Sequence, residues 1–152
     1  MGNFKAQLRE KARFVFEDRC NGCGDCAEVC PIEVPNYFEL NIAPRKAIDV
    51  AMSQSVPLVY NIDMDSCIEC YQCVEACGEL DAIDFSMDDK LVWEDIGSIV
   101  IATGFNHFDP SAMTEYGYGR FPNVITAMEM ERLNNSAGPT GGNLIRPSDG
   151  KN

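Results

Sequence analysis

The chain has 152 residues, of which 45% are hydrophobic, which suits one folded domain or a small domain with part of another. Its 24 Asp and Glu residues against 12 Lys and Arg residues give a formal net charge of −12. This acidity disfavours a nucleic-acid partner, because binding to phosphate needs a basic surface, and it favours a protein partner with a basic patch. No apolar run approaches the roughly 20 residues of a membrane span, and the N-terminus has no signal-peptide core, so we expect a cytoplasmic protein without membrane insertion.

The first segment of the chain, residues 4–16, has the alternation of a β-strand. Phe4, Ala6 and Leu8 alternate with charged or polar residues, and Phe14 and Phe16 alternate again after a charged break. This period of two predicts a short hairpin that leads into the first cysteine run.

Two cysteine runs follow, and together they contain all eight cysteines of the protein. Both have the spacing C-x2-C-x2-C-x3-C. The runs are Cys20, Cys23, Cys26 and Cys30, and then Cys67, Cys70, Cys73 and Cys77. Three closely spaced cysteines can bind three irons of one cubane, so the pattern predicts two [4Fe–4S] clusters. Structural zinc is disfavoured because its sites usually use paired C-x2-C arms, and disulfides are disfavoured by a reducing cytoplasm.

The segments around the runs predict further short elements. A helix is expected at 27–30, ended by Pro31, since proline stops a helix. The long spacer between the runs contains three prolines, so it cannot be one helix, and a strand is expected near 56–62. Residues 82–85 are predicted to form the closing strand of the cluster module, followed by an exposed turn at 88–90.

The sequence changes character from residue 91. Buried strands are predicted at 91–93 and 99–102, followed by a loop over 105–122 that is rich in aromatic residues and glycine. Thr126 and Glu129 have the spacing of a capping box, which predicts a helix to about Asn135. The tail, 138–152, is rich in glycine and is expected to be a loop.

The cysteine runs resemble those of bacterial two-cluster ferredoxins, in which the fourth cysteine of each run binds the other cluster. The resemblance implies an α+β, two-[4Fe–4S] ferredoxin-type fold with pseudo-twofold βαβ repeats over residues 1–90. It implies the following ligands: Cys20, Cys23, Cys26 and Cys77 for cluster I, and Cys67, Cys70, Cys73 and Cys30 for cluster II. Gly78 stands where the first run has Pro31, but this position is not a ligand, so binding should be retained.

Several short motifs outside the cysteine runs extend the resemblance over almost the whole chain. They are GNF at 2–4, RKAI at 45–48, AIDF at 82–85, IATGF at 101–105, YGYGRFPNVIT at 116–126 and GPTGG at 138–142. Together with the runs, they are similar to the A-type iron–sulfur subunit of heterodisulfide reductase. In that family a ferredoxin module is inserted in a larger flavoprotein that resembles thioredoxin reductase.

The family resemblance implies a second unit, 91–152, that is a partial α/β segment of a thioredoxin-reductase-like FAD domain with a glycine-rich tail. Ala102, Thr103 and Gly104 would lie against FAD. No G-x-G-x-x-G follows a strand in this sequence, so FAD is expected only in the complete subunit, and the chain is expected to be a fragment or a split subunit. The single histidine, His107, is expected in a surface loop, and a proton-handling role beside a flavin is the alternative.

The implied function is an electron relay between the flavin and external carriers in an electron-bifurcating, heterodisulfide-reductase-like complex. Partners would be the other subunits of that complex, the rest of the flavoprotein, and hydrogenase, formate dehydrogenase or ferredoxin. In methanogens such a complex would reduce the coenzyme M–coenzyme B heterodisulfide, with the disulfide chemistry on other subunits and no catalytic residue in this chain. The alternatives are an independent soluble low-potential electron carrier and a structural module whose clusters only stabilise the fold.

Overall fold

The computed structural model describes residues 2–152 and contains, within them, six short strands and three short helices. The strands are Phe4–Glu10 (β1), Glu33–Val34 (β2), Arg45–Lys46 (β3), Ile48–Asp49 (β4), Asn61–Ile62 (β5) and Lys90–Ile96 (β6). The helices are Asp25–Glu28 (α1), Gln72–Cys77 (α2) and Ala127–Asn134 (α3). All three sheets formed by these strands are antiparallel pairs: β1 with β6, β2 with β3, and β4 with β5.

The longest ladder joins the two ends of the cluster module. β1 pairs with β6 along its whole length, with Phe4 opposite Ile96 and Glu10 opposite Lys90. The strand predicted at 4–9 is therefore confirmed, but the predicted hairpin over 4–16 is wrong. Phe14 has φ 61°, which interrupts the extended chain, so the partner of β1 comes from the far end of the module instead.

The core lies between the two cysteine runs and is held by two short pairings. Val15 forms an isolated bridge with Ile83, and β4 pairs with β5. The amide of Ile62 donates to the carbonyl of Arg13 over 3.0 Å and so links the two pairings. The strands predicted at 56–62 and 82–85 are both shortened, to Asn61–Ile62 and to the bridge at Ile83, because the chain pairs only where it passes the core.

The core itself is unusually rich in sulfur. Its buried residues form one cluster made of Val15, Cys26, Ile48, Val59, Ile62, Cys73, Ala82 and Ile83. Four more cysteines are half-buried against this cluster: Cys20, Cys30, Cys67 and Cys77. The module is a mixture of helix and strand, as predicted, while the pseudo-twofold βαβ repeat stays a prediction, since the described sheets are separate two-stranded pairs.

Both predicted helices form where local sequence signals favour them. The helix expected at 27–30 is observed two residues earlier as α1, because Gly24, with φ 98°, already turns the chain into its first turn. The capping box of α3 is confirmed: the Glu129 amide donates to Thr126 Oγ1 over 3.2 Å, and the Thr126 amide donates to the Glu129 carboxylate over 2.6 Å. Only Leu133 of α3 is buried.

The apolar residues after the module are not buried as predicted. In β6 the strand predicted at 91–93 is confirmed, but Leu91 and Trp93 are exposed. The buried strand predicted at 99–102 is wrong: these residues are irregular, and Ile99, Val100 and Ile101 are 62%, 85% and 83% exposed. Within residues 2–152 no strand pairs with this run, so its backbone has no ladder to join.

The remaining C-terminal segments have the irregular structure that the sequence predicts. The loop over 105–122 contains only two single 3₁₀ turns, Pro110–Ala112 and Thr114–Tyr116. The glycine-rich tail consists of turns and bends. The turn expected at 88–90 is shifted, because Lys90 already begins β6, while Asp89 accepts a hydrogen bond from the Ala12 amide over 3.0 Å.

A buried ion pair ties the spacer between the cysteine runs to α3. Arg132 donates from Nε and Nη2 to the two carboxylate oxygens of Glu39, over 2.9 and 2.8 Å. Glu39 is only 7% exposed, and the Arg132 guanidinium also lies 5.0 Å from the centre of the Phe38 ring. The division of the chain at residue 90 stays a prediction, and this ion pair and the β1–β6 ladder both make contact across that point.

We predict that Arg132→Leu destabilises the fold strongly. Removal of the guanidinium leaves the Glu39 carboxylate buried and unpaired, which costs about 3 kcal/mol or more. The matched control is Arg146→Leu, because the Arg146–Asp149 pair of 2.8 Å is largely exposed and such pairs contribute about 0–1 kcal/mol. Thermal unfolding followed by circular dichroism under anaerobic conditions measures both, and equal stability of the two variants would contradict the prediction.

Candidate metal centre

One small cavity is lined by cysteines from both runs. Its wall contains Cys30 of the first run together with Cys67, Cys70 and Cys73 of the second. The rest of the wall is apolar and comprises Ile32, Ala47, Ile48, Ile62, Ile68, Tyr71 and Phe85. Four thiols in an apolar surrounding are the donor set that a [4Fe–4S] cluster requires, so these residues fit such a cluster. Cys30 reaches this cavity because α1 and α2 lie against each other.

The first three cysteines of the first run form a second group. Burial and the neighbouring Cys23 and Cys20 raise the pKa of Cys26 to about 12. Burial, and then Cys67 and Cys70, likewise raise the pKa of Cys73. The thiols of Cys26 and Cys73 are therefore protonated at neutral pH unless a metal displaces the proton. Metal binding and ionisation of these thiols are then a single event.

The two runs place their cysteines in the same order of exposure. The third cysteine of each run is buried, the second is exposed, and the first and fourth are half-buried. Cys77, the predicted fourth ligand of the first group, lies at the end of α2 against the core. All eight thiols are free, and within residues 2–152 no three His, Cys, Asp or Glu side chains are arranged around a single metal-ion position. In a cubane each thiolate binds a different iron.

The loops of the two runs have the same backbone shape but different residues. Gly22 and Gly24 have φ 72° and 98°, and Glu69 and Tyr71, at the same places in the second run, have φ 51° and 60°. A left-handed conformation costs a non-glycine residue roughly 1–2 kcal/mol. The glycines of the first loop were visible in the sequence, whereas the strained Glu69 and Tyr71 could have been found only by superposing the two runs.

Backbone and side-chain groups also orient the loops. The Glu69 amide donates to Cys67 Sγ over 3.4 Å, and the Cys23 amide donates to Asn21 Oδ1 over 3.1 Å. Amide hydrogen bonds to cysteine sulfur stabilise negative charge at an iron–sulfur site and are among the factors that set its reduction potential.

Gly78 has a conformation that explains why proline is absent from the second run. Its φ is 55° and its ψ is −129°, and it ends α2 before a 3₁₀ turn at Gly78–Leu80. Proline fixes φ at about −65°, so it cannot occupy this position. The next turn is fixed by Arg19, which donates to the Asp81 carbonyl over 2.9 Å and to its carboxylate over 3.2 Å.

Hydrogen bonds to Asp63 stabilise the turn that precedes Cys67. Its carboxylate accepts from Arg45 over 2.6 Å and from the Ser66 hydroxyl over 3.1 Å, and its carbonyl accepts from the Cys67 amide over 2.9 Å. The hydrogen bond from Arg45 is the main reason that the pKa of Asp63 is lowered. A lowered pKa means that this carboxylate contributes its full stabilisation above the ordinary value of about 3.9 and loses it only as the pH falls below that value.

Aromatic side chains border both cysteine groups, and they were not singled out from the sequence. The Tyr60 ring is half-buried against the core cluster that contains Cys26, which places it beside the first group, and this burial is the main cause that raises the pKa of Tyr60. Tyr71 and Phe85 line the cavity of the second group, with ring centres 4.9 Å apart. The hydrophobic positions 60 and 85 had been assigned to strands, and strand periodicity carries no information on a nearby metal.

The residues predicted to contact FAD lie apart from the cysteines. Ala102, Thr103 and Gly104 are exposed in an irregular segment, and Gly104 has φ 70° with open space around it. Their contact with FAD stays a prediction. His107 lies in an exposed loop, as expected, with its ring 5.0 Å from that of Phe105. Among residues 2–152, no helix has the length and apolar character needed to cross a membrane.

Comparison with known proteins identifies the cysteine-bearing region. Residues 19–83 match a family model described as a 4Fe-4S dicluster domain. The chain is 52% identical over 151 residues to the A-type iron–sulfur subunit of the CoB–CoM heterodisulfide reductase of Methanocaldococcus jannaschii, and 55% identical over 152 residues to the first of two such subunits of Methanopyrus kandleri. It is 49% identical over 152 residues to the A-type subunit of the H2/formate:CoB–CoM heterodisulfide, ferredoxin reductase of Methanococcus maripaludis. Each alignment covers 99% of this chain and 23% of the relative.

We predict that Gly78→Pro prevents normal assembly of the module, because proline cannot adopt φ 55°. Gly78→Ala should cost roughly 1–3 kcal/mol, since φ 55° with ψ −129° lies outside the regions that a residue with a side chain readily adopts. Gly97→Ala is the control, because Gly97 does not have a positive φ and has open space around it. The iron content of the purified proteins reports assembly, and normal iron in Gly78→Pro would contradict the observed conformation.

We predict that Asp63→Asn speeds the loss of iron on mild heating by about tenfold. The change weakens the charged hydrogen bond from Arg45, worth about 1.5–3 kcal/mol, and 1.4 kcal/mol corresponds to a factor of about ten. Asp65→Asn is the matched control, because Asp65 is exposed and forms no ion pair with another residue in the described part of the chain. The decay of visible absorbance at constant temperature measures this rate, and equal rates for the two variants would refute the role of Asp63.

Proposed function

Because this chain corresponds to a segment of the A-type heterodisulfide reductase subunits and spans about a quarter of its relatives' length, we propose that it is an electron relay. The relay would pass single electrons through two [4Fe–4S] clusters to or from the FAD of the complete subunit. The observation that carries the proposal is the cavity that Cys30 of the first run shares with Cys67, Cys70 and Cys73 of the second.

The proposed ligand sets follow the crossed arrangement of two-cluster ferredoxins. Cluster II takes the four cysteines of the shared cavity. Cluster I takes Cys20, Cys23 and Cys26, and Cys77 of the second run completes it. Clusters bound in this way would accept and release one electron at a time.

The protein residues around the two groups suit such a relay. The contact between α1 and α2 brings the groups close to each other, and the exposed Cys23 and Cys70 bring each of them to the surface. The many carboxylates of the chain disfavour reduction of the clusters and attract partners with basic surfaces.

The relatives suggest which partners the complete protein would have. The name of the Methanococcus maripaludis relative contains H2, formate and ferredoxin, and all three relatives are named as subunits. We therefore propose other heterodisulfide reductase subunits as stable partners, and hydrogenase, formate dehydrogenase or ferredoxin as electron donors or acceptors. The proposed setting is flavin-based electron bifurcation in the cytoplasm.

Three serine variants test the proposed ligand sets. We expect the anaerobically purified chain to contain about eight iron atoms and eight sulfides, as two [4Fe–4S] clusters require. Cys30→Ser and Cys70→Ser should alter the same cluster in electron paramagnetic resonance (EPR) spectra, while Cys23→Ser should alter the other one. The variants are matched in chemistry, and Cys23 and Cys70 are matched in exposure.

The crossing of the ligands is the decisive outcome. If Cys30→Ser changes the same signal as Cys23→Ser, each run binds its own cluster and the proposed arrangement is wrong.

Purification from the native source separates a relay from an independent carrier: a stoichiometric complex with flavoprotein subunits supports the relay, and a free protein that reduces several partners supports the carrier. Clusters that cannot be reduced at any accessible potential would instead indicate a purely structural role.

A further inference from the structure

The two cysteine loops differ in what covers them. Gly22 and Gly24 in the first loop correspond to Glu69 and Tyr71 in the second, and all four residues are left-handed. The backbone shape favours glycine but does not require it, because the second loop adopts the same shape with Glu69 and Tyr71 at a cost in strain. A second requirement also favours glycine in the first loop.

That requirement is the close approach of the segment before β5. A Cβ atom on Gly22 would lie 2.9 Å from the Leu58 side chain and from the Leu58 carbonyl oxygen. A Cβ atom on Gly24 would lie 3.2 Å from the Tyr60 hydroxyl. Contacts under 3.0 Å are almost never tolerated, so a side chain at position 22 would push Leu58 away. The glycines let Leu58 and Tyr60 close over the first loop.

Besides its contact with the first loop, the Tyr60 side chain packs against the core. Its ring is half-buried against the core cluster that contains Cys26, the buried third cysteine of the first run. At its two corresponding positions the second loop carries side chains: Glu69 is exposed, and Tyr71 is half-exposed and lies against Phe85, with ring centres 4.9 Å apart. Leu58 and Tyr60 thus approach the first loop at positions that have no side chain, whereas the second loop contributes an aromatic side chain of its own at position 71.

We propose that Leu58 and Tyr60 are positioning residues that shield cluster I from water and keep its reduction potential low, independently of cluster II. This inference rests on the proposed relay, because it requires both clusters. Reduction adds one electron, and so one negative charge, to the cluster. A dry surrounding disfavours the more highly charged form, so a cover that excludes water makes reduction harder.

Tyr60→Ala in the complete chain tests the shield. Two-cluster protein is titrated with dithionite as the electron source, and each cluster is followed by EPR, with its signal assigned through Cys23→Ser and Cys70→Ser. We expect the midpoint potential of cluster I to rise by about 59 mV, a tenfold change in a one-electron equilibrium. Cluster II should not change. Tyr60→Phe keeps the ring and should stay close to the parent protein.

Tyr71→Ala is the matched control, because it removes an aromatic ring beside the other cluster and should leave cluster I unchanged. If Tyr60→Ala fails to retain cluster I, Leu58→Ala is the milder variant and should still raise its potential. Two clusters present with unchanged potentials in Tyr60→Ala and Leu58→Ala would overturn the shield while leaving the relay intact. A shift of cluster II alone would also overturn it. Absence of clusters from the parent protein would instead contradict the proposed function.

Discussion

The packing of this protein depends on cysteine side chains that serve both as core and as candidate metal ligands. Cys26 and Cys73 are buried in the apolar cluster with Ile48 and Ile62, and four further cysteines lie half-buried against it. Six of the eight cysteines lie in or against this cluster, which leaves little apolar volume for an ordinary core. Metal–thiolate bonds would therefore provide much of the cohesion, and metal binding and folding should be coupled.

The small apolar core also explains why the rest of the module has only short elements of secondary structure. Strands of two residues and helices of four and six residues are too short to be stable on their own. They persist where longer-range contacts fix them: the Val15–Ile83 bridge, the link from Ile62 to Arg13, and the Arg45–Asp63 pair before Cys67. Strained residues such as Glu69 and Tyr71 are consistent with loops whose shape is dictated by what they bind, since strain of this kind persists only when the surroundings enforce it.

The apolar residues after β6, unlike those of the core, are exposed. Ile99, Val100 and Ile101 are among the most apolar residues of the chain, yet they are exposed in this structure. The chain spans about a quarter of the length of its relatives, which contain much further polypeptide. The sequence pattern identified these residues as apolar, but burial requires a second surface, and sequence pattern does not specify where that surface lies.

The sequence by itself determined the features that depend on spacing within a few residues. The cysteine pattern identified the metal chemistry, and the pairing of Thr126 with Glu129 identified the capping box of α3, because both involve neighbours along the chain. Only the tertiary structure decided which distant segments meet: β1 with β6 rather than with 14–16, Glu39 with Arg132, and Leu58 and Tyr60 over Gly22 and Gly24. These contacts join residues far apart in the sequence, and their choice depends on the shape of the whole core, which no local pattern records.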